Sequence, residues 1–367
     1  MNDKQQDLAS GKTDNKAVRP ALITSVETFT EFPASLRHLM VGFADESIPA
    51  AIVCSTNQNL NAVVSGAVDI IRHPSFNIPL LWKWNRKILV ERLENFAPTV
   101  LHCLCQTKAE LTRRLARQLD LPYVLTVNSL QKRWAQFSIS SKRCVKIISP
   151  AKSISANLAQ VYPRFADRIE HINIGTFTEE GPCCFSRPDQ LPSIVTVAPA
   201  DNFERFENLL TAIRHLAIDG YEFMLVVISA GKAERRLRQA LTALGLSQIA
   251  VIIPHLEPRR SVLAAADIFV QSAPKKQFNT WLLEAMSVGT AVATCIGGVD
   301  DLIIDSRTAL VFDTEDELSI KAALQRLLDA HDFARKLAKN AQKTLTQNYS
   351  VSSMISSTLR VYRNAEY

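Results

Sequence analysis

Residues 262–312 read VLAAADIFVQSAPKKQFNTWLLEAMSVGTAVATCIGGVDDLIIDSRTALVF, and their pattern decides the fold. The apolar run at residues 267–270 predicts a short buried strand, and the apolar spacing at residues 281–288 predicts a helix that ends at Gly289. Residues 290–295 then predict a second buried strand. Because a strand, a helix and a strand in this order form a parallel unit, the stretch predicts one edge of an α/β sheet.

Two glycines follow the second predicted strand. Gly297 and Gly298 lack a Cβ, so backbone N–H groups at this point can approach a phosphate, and the next helix would direct its N-terminus toward it. Glu284, ahead of this turn, could accept both hydroxyl protons of a ribose. Taken singly, these features are equally compatible with ordinary α/β packing and a solvated Glu284 carboxylate. Taken together, they favour one edge of a nucleotide pocket.

The stretch resembles the donor-site region of the group 1 (family 4) retaining glycosyltransferases of the GT-B type. The family's run E-A-M-A-x-G-x-P-V-V-A-T-x-x-G-G is matched by Glu284, Ala285, Met286, Gly289, Val292, Ala293, Thr294, Gly297 and Gly298. Residues 262–273 resemble L-Y-x-x-A-D-V-F-V-x-P-S, residues 171–175 resemble V-I-P-N-G-V, and residues 99–103 and 121–128 resemble D-V-V-H-A-H and I-P-x-V-x-T-V-H. The resemblance covers roughly residues 20–363.

The resemblance implies an α/β fold of the GT-B type, in which two Rossmann-like domains with parallel sheets face a central cleft. The length of 367 residues agrees, because single cores usually split beyond ~250 to 300 residues. The predicted organisation is a flexible tail (1–19), an acceptor-side domain (20–175), a linker (176–192), a nucleotide-sugar-binding domain (193–349) and a helix that crosses back to the first domain (350–367).

Alternating apolar segments predict the strands of both sheets. In the first domain they lie at residues 21–25, 50–54, 100–103, 123–127, 145–149 and 170–174. In the second domain they begin at residues 193–197 and continue at 223–228 and 251–253. Amphipathic spacing at residues 315–348 and 350–363 predicts the final helices.

The first domain departs from the family pattern at two places. Retaining members have a glycine-rich loop after the first strand, where the backbone approaches the donor phosphates, but no glycine lies between Gly11 and Gly42. The second histidine of the family's H-x-H falls on Leu104, which leaves His102 to line the reaction centre. A histidine at a strand end is also compatible with simple packing.

The second domain departs from the pattern at the donor phosphates. The family supplies an arginine and a lysine from G-R-L-x-x-x-K-G, whereas Pro199 occupies the arginine position and Arg205 lies one residue from the lysine position. The first glutamate of E-x7-E falls on Lys276, which reverses the charge beside the donor sugar. Arg205 is predicted as a phosphate cation, or else as an ordinary surface residue, and Lys276 as a donor contact.

Composition limits the cofactors and the compartment. The seven cysteines lie mostly in apolar runs without metal-ligand spacing, which predicts reduced core thiols. Asp300-Asp301 is not a D-x-D metal pair, so no metal is expected, and Asp300 is predicted to cap the start of a helix. Without an apolar run of 18 residues or an apolar N-terminal segment, the chain is predicted to be cytoplasmic.

The positive charge lies in the first half of the chain. Residues 1–174 hold 22 Lys and Arg against 14 Asp and Glu, and the remainder holds 20 against 22. Residues 78–93, IPLLWKWNRKILVERL, carry Leu81, Trp84, Ile88 and Leu89 among basic residues, which is typical of a membrane-interface helix. An amphipathic helix packed on the sheet is the alternative. Nucleic acid is not expected, since no recognition motif accompanies the charge.

Two functions follow from the resemblance and its departures. The first is a glycosyltransferase that moves a sugar from a nucleotide-sugar donor to a glycan or lipid-linked acceptor. Its retaining course is implied by the resemblance alone. The second is a catalytically degenerate GT-B protein that serves as a binding or scaffold subunit of another glycosyltransferase, which the changes at Leu104, Pro199 and Lys276 motivate.

Overall fold

The computed structural model describes residues 18–56, 68–73, 79–134, 137–181, 184–199, 203–229, 233–254 and 259–365. The predicted tail at residues 1–19 therefore lies almost wholly outside the described residues. Among the described residues, the strands form two sheets in which every pairing is parallel.

The first sheet contains the strands β1 Pro20–Ile23, β2 Ala50–Ser55, β3 Val68–His73, β4 Val100–Cys103, β5 Tyr123–Thr126, β6 Cys144–Ser149 and β7 Ile169–His171. Their order is β3-β2-β1-β4-β5-β6-β7. The accompanying helices are α1 Val26–Glu31, α2 Pro33–Asp45, α3 Pro79–Phe96, α4 Ala109–Gln118 and α5 Lys152–Val161. β1, β2 and β4 are almost wholly buried, because helices cover both faces of the sheet.

The second sheet contains β8 Ser193–Val197, β9 Met224–Ile228, β10 Ala250–Ile253, β11 Ile268–Val270, β12 Ala291–Thr294 and β13 Leu310–Val311. Their order is β10-β9-β8-β11-β12-β13. The helices are α6 Phe203–Ile218, α7 Ala233–Ala243, α8 Arg259–Ala264, α9 Thr280–Val288, α10 Glu317–Asp329, α11 His331–Asn348 and α12 Val351–Arg363.

The strands predicted from apolar runs are present, with ends shifted by a few residues. β3 was not predicted, because Asp69 and the exposed Ile70 interrupt its apolar pattern. The segment 315–348, predicted as one helical region, forms the two helices α10 and α11. They are separated at Ala330, which leaves helical geometry with φ −116° and ψ 71°.

The last helix, α12, lies against the first domain. The Tyr362 hydroxyl is 2.5 Å from Nδ1 of His102 on β4, and Arg360 pairs with Glu170 on β7. On α2, a Cβ at Gly42 would lie 2.3 Å from the Ile355 side chain, so glycine permits the close approach of α2 and α12. The end of the chain therefore forms part of the core of the first domain.

Backbone hydrogen bonds join the two domains across the cleft. The Leu130 N–H donates to the Lys276 carbonyl and the Phe278 N–H donates to the Asn128 carbonyl, each over 2.8 Å, around an antiparallel bridge between Ser129 and Gln277. The loop after β5 and the loop before α9 are therefore held in a fixed register.

A second link joins the domains at the start of α5. The Asp301 carboxylate accepts the Ser153 backbone N–H over 3.1 Å and also accepts the Ser153 hydroxyl. Since Ser153 lies in the first turn of α5, this negative charge is favourable beside the helix N-terminus. Asp301 thus acts as a helix cap supplied by the other domain.

Candidate functional site

A pocket opens where the strand order of the second sheet reverses. In this sheet β9 and β10 lie on one side of β8, and β11, β12 and β13 lie on its other side. The carboxyl ends of β8 and β11 therefore form a switch point, which is where open α/β sheets bind ligands. Residues that line the pocket include Pro199, Gln271, Ser272, Lys275, Asn279 and Trp281.

Asn279 organises the polar wall of this pocket. Its Oδ1 accepts the backbone N–H groups of Trp281 and Leu282 at 3.1 and 3.3 Å, so it caps the N-terminus of α9. Its Nδ2 donates over 2.5 Å to Oε1 of Gln271, which follows β11. One side chain thus fixes the helix and the strand end. Our sequence reasoning missed Asn279, although an asparagine ahead of an apolar helical run is a capping signal.

A buried arginine lies behind the pocket. Arg259 is 1% exposed, its guanidinium lies 4.5 Å from the centre of the Trp281 ring, and it donates to the Thr280 hydroxyl over 3.2 Å. Thr280 in turn donates to the Glu31 carbonyl at the end of α1 over 2.6 Å. A desolvated cation over an indole face is a favourable contact. Arg259 therefore ties the start of α9 to the first domain, and nothing in its local sequence indicated this role.

The glycine turn after β12 binds a carboxylate of its own chain. Gly297 has φ +113°, a conformation that favours glycine. Asp300 accepts the N–H groups of Gly297 and Gly298 over 2.8 and 3.1 Å. A Cβ at Gly298 would lie 2.1 Å from the Lys275 carbonyl oxygen, so this turn packs on the loop that supplies Lys275 to the pocket. Asp300 thus caps the glycine amides themselves. The helix predicted to start here is wrong, because residues 299–316 form turns and the short strand β13 before α10 begins.

Glu284 lies in the middle of α9, one turn beyond the residues that line the pocket. The residue is 8% exposed, so it is not the solvated helix carboxylate of the simpler interpretation. The Ser287 hydroxyl donates over 2.8 Å to its backbone carbonyl. Burial of a carboxylate requires polar partners, so the side chain of Glu284 is held within the fold rather than free in solvent. The ribose contact stays a prediction.

The two predicted donor cations differ from the pattern that the resemblance implied. Nε of Arg205 on α6 lies 2.6 Å from the Glu315 carboxylate. Lys276 is exposed and lies beside the interdomain bridge, whereas its neighbour Lys275 lines the pocket. Pro199, at the family's arginine position, also lines the pocket.

His102 lies in a different cavity, within the first domain. It is 2% exposed, its Nδ1 contacts the Tyr362 hydroxyl and its Nε2 lies 2.7 Å from the Thr126 hydroxyl. Burial lowers the pKa of His102 to about 3, so the ring is neutral near pH 7. The cavity beside it is lined by the apolar residues Phe32, Leu36, Leu104 and Met354, among others. His102 and the switch-point pocket are thus separate features.

The loop after β1, glycine-rich in the resembling family, here forms a helix. Ser25 and Thr28 make a reciprocal capping box at the start of α1. The Glu27 carboxylate accepts Nε2 of Gln277 over 2.9 Å across the cleft, and burial followed by the charge of Glu31 raises its pKa. The chain therefore fills this position with a carboxylate-bearing helix that contacts the second domain.

Among the residues that the structure describes, no group of three His, Cys, Asp or Glu side chains lies in an arrangement that could hold a metal. The described cysteines, Cys54, Cys103, Cys105, Cys144, Cys184 and Cys295, are buried. Burial raises the pKa of Cys103 and of Cys144 to about 12, which keeps these thiols protonated. In the described ranges, no helix has the length and apolarity needed to cross a membrane.

The neutral, buried state of His102 predicts an acid sensitivity. The unfolded chain titrates near pH 6.5, so between pH 6.5 and about 3 only the unfolded state is protonated at this residue. The free energy of unfolding should therefore decrease as the pH is lowered through this window. His102 contributes at most about 1.4 kcal/mol per pH unit to this decrease. Denaturant unfolding at several pH values should show that acid lowers the free energy of unfolding less for His102→Gln than for the wild type.

The control for this comparison is Ile218→Ala at the exposed end of α6, which removes no titratable group. Its pH profile should stay parallel to that of the wild type. If acid lowers the free energy of unfolding of His102→Gln as much as that of the wild type, the neutral, desolvated state of His102 is contradicted.

Two parallel sheets with a switch-point pocket in the second define a two-domain GT-B protein, and solved structures share this fold. Anabaena HepE in complex with UDP and glucose aligns with a TM-score of 0.76 at 14% identity, covering 94% of this chain and 98% of that one. Sucrose-phosphate synthase from Thermosynechococcus elongatus aligns with a TM-score of 0.76 at 16% identity, over 94% and 98%. The predicted GT-B fold is confirmed.

Residues 186–344 match the family model of the group 1 glycosyl transferases. The resemblance to the group 1 glycosyltransferases is therefore confirmed over these residues of the second domain, while retention and the divergent motifs stay predictions. The MMP alpha-(1->4)-mannosyltransferase of Mycolicibacterium hassiacum is 23% identical over 243 residues, which are 64% of this chain and 59% of that protein. The match thus spans less than two thirds of this relative's length.

Proposed function

We propose that the protein is a glycosyltransferase that moves a sugar from a nucleotide-sugar donor to a glycan or lipid-linked acceptor. The observation that carries this proposal is the polar pocket at the switch point of the second sheet, inside the segment that matches the group 1 family model. The relatives named above are a mannosyltransferase and a sucrose-phosphate synthase, and HepE was solved with UDP and glucose. The scaffold alternative is not favoured by these comparisons.

The proposed donor site combines the predicted residues with one neighbour. Glu284 accepts the ribose hydroxyls, and the amides of Gly297 and Gly298 approach the diphosphate. Arg205 and Lys276 remain proposed donor cations, and Lys275 joins them because it lines the pocket. Cations here would stabilise the charge that develops on the leaving diphosphate.

The course of the reaction is proposed from the donor chemistry. Transfer with retention is supported only by the family resemblance, and it relies on donor geometry and leaving-group stabilisation. We propose that His102 supports the first-domain side of the reaction centre as a neutral group through its contacts with Tyr362 and Thr126, since its depressed pKa disfavours an acid or base role near pH 7. No metal is required by this scheme.

The acceptor side is proposed to meet a membrane surface through residues 78–93. Trp84 is 72% exposed and Ile88 is exposed beside it, with exposed Lys87 between them. Leu89, placed with them in the sequence analysis, faces the core instead, because it lies about 140° around the helix from Trp84. Exposed aromatic and basic side chains together suit a peripheral position at lipid headgroups. Pairing with a partner glycosyltransferase remains compatible with this placement.

Asp300 caps the glycine amides, so removal of its charge is expected to increase the affinity for nucleoside diphosphates. If the amides of Gly297 and Gly298 contact the diphosphate, the Asp300 carboxylate competes for them and repels the ligand. Asp300→Asn should therefore bind nucleoside diphosphates about tenfold more tightly, a change of ~1.4 kcal/mol. Calorimetric titration of both proteins at low ionic strength measures this difference.

Asp189→Asn, which removes an exposed charge in the linker, is the matched control and should leave affinity unchanged. Equal affinity of Asp300→Asn and wild type would exclude the glycine amides as the diphosphate site.

The proposed activity itself is tested by donor hydrolysis or transfer. Purified protein is incubated with radiolabelled nucleotide sugars and a mixed membrane and glycan extract as acceptor. Release of nucleoside diphosphate that depends on the extract supports a transferase. Nucleotide binding without release under any of these conditions would support the binding-subunit alternative.

A further inference from the structure

Four arginines line one groove on the outer side of the first domain. The groove lies between α3 and α4, and its lining residues are Arg86, Arg113, Arg114, Arg117 and Gln118, called the arginine groove below. The two helices cover the same side of the sheet, since Leu89 of α3 and Leu115 of α4 belong to one core cluster. The position of the groove is therefore fixed by the core of the domain.

The charge of the arginine groove is only partly balanced. Glu110 accepts Nε of Arg113 over 2.7 Å and Nε of Arg114 over 2.6 Å, and hydrogen bonding from Arg113 chiefly lowers the pKa of Glu110 to about 2. Among the described residues, no carboxylate lies within ion-pair distance of Arg86 or Arg117. Four guanidinium groups therefore line one groove, and their mutual repulsion favours an added anion.

The chemistry of the lining selects the kind of anion. Guanidinium groups present planar pairs of N–H donors that match phosphate oxygens, and several of them can contact one phosphate. Gln118 adds a neutral donor, and no apolar side chain is among the described lining residues. We propose that the arginine groove binds a phosphate group. The inference goes beyond the proposed sugar transfer, because the groove belongs to the first domain and not to the switch-point pocket.

The phosphate could belong to a lipid headgroup or to a soluble phosphorylated compound, and the two sources are distinguished by experiment. One arm measures binding to phosphatidylcholine vesicles with and without phosphatidylglycerol. The other arm titrates inorganic pyrophosphate. Trp84, two residues before Arg86 and exposed, serves as a fluorescent reporter, and Trp84→Phe identifies its signal.

The critical variant is Arg86→Gln/Arg117→Gln, which removes the two groove arginines that form no ion pair with a described residue. We expect at least about tenfold weaker binding of whichever probe the wild type binds, with nucleotide binding by the second domain unchanged. Binding of anionic vesicles alone identifies a headgroup phosphate, and binding of pyrophosphate identifies a soluble one.

Arg214→Gln/Arg235→Gln is the matched control, since it removes two exposed arginines from the second domain. It should bind both probes like the wild type. The proposal is overturned if the wild type binds neither probe, if the groove variant binds as tightly as the wild type, or if the control loses as much affinity as the groove variant.

Discussion

Gly298→Ala should both destabilise the second domain and weaken nucleotide binding. The added Cβ would lie 2.1 Å from the carbonyl oxygen of Lys275 and 2.8 Å from its nitrogen, so it would meet backbone rather than a flexible side chain. The same carbonyl accepts the Val299 N–H over 2.7 Å. Overpacking of this kind costs about 1 to 3 kcal/mol. Thermal unfolding and calorimetric titration of a nucleoside diphosphate measure the two effects.

Ile296→Ala is the control within the same turn, because Ile296 is largely exposed and its truncation leaves the backbone free of new contacts. It should unfold like the wild type. If Gly298→Ala unfolds and binds like the wild type, then the close packing of the glycine turn on the Lys275 loop is not what holds this wall of the pocket.

Glu284→Gln should weaken nucleotide binding with little change in packing volume. The substitution keeps the shape of the side chain but removes the charge that strengthens hydrogen bonds from the two ribose hydroxyls. The loss of such bonds, at about 1.5 to 3 kcal/mol, lowers affinity about 10- to 100-fold. Titration with a nucleoside diphosphate and with its free base separates a ribose contact from a general disturbance of the site.

A purely structural role for Glu284 makes a different prediction. Because the residue is buried, its neutralisation could lower stability alone, so thermal unfolding is recorded for the same variant. Glu317→Gln, in the first turn of α10, is the control. Lower stability with unchanged affinity would remove Glu284 from the donor site.

Local patterns predicted the elements of the second domain well. The strand predicted at residues 267–270 is β11 Ile268–Val270, and the helix predicted at residues 281–288 is α9 Thr280–Val288. Both have strong apolar patterns, and α9 ends at Gly289, whose φ of 82° suits glycine. The spacing of apolar residues and a glycine after the last helical residue are sufficient to predict such elements. Both the buried face and the end of the helix are determined by residues that are close in sequence.

Local patterns did not predict contacts between residues that are distant in sequence. Arg205 was assigned to phosphate from its place in a motif, but it pairs with Glu315, which lies 110 residues away. The register that joins the loop at Ser129 to Gln277 likewise depends on how two domains meet. Long-range pairs of this kind are set by tertiary packing, and one sequence contains no local signal for them.

The site residues also differ in whether a local sequence signal indicates them or only the folded structure does. Gly297 and Gly298 were found because a glycine pair after a buried strand is a local signal. The competing Asp300 was assigned to a cap, but its partners, the two glycine amides, follow only from the turn geometry. Asn279 and Arg259 were missed because their roles depend on Gln271 and Trp281 in the folded pocket.

The switch-point pocket of the second domain is expected to bind a nucleoside diphosphate. Calorimetric titration of the purified protein with a panel of nucleoside diphosphates and their sugar conjugates tests it without knowledge of the acceptor. We expect saturable micromolar binding of at least one nucleotide, weakened in Glu284→Gln and strengthened in Asp300→Asn. Absence of binding across the whole panel would contradict it.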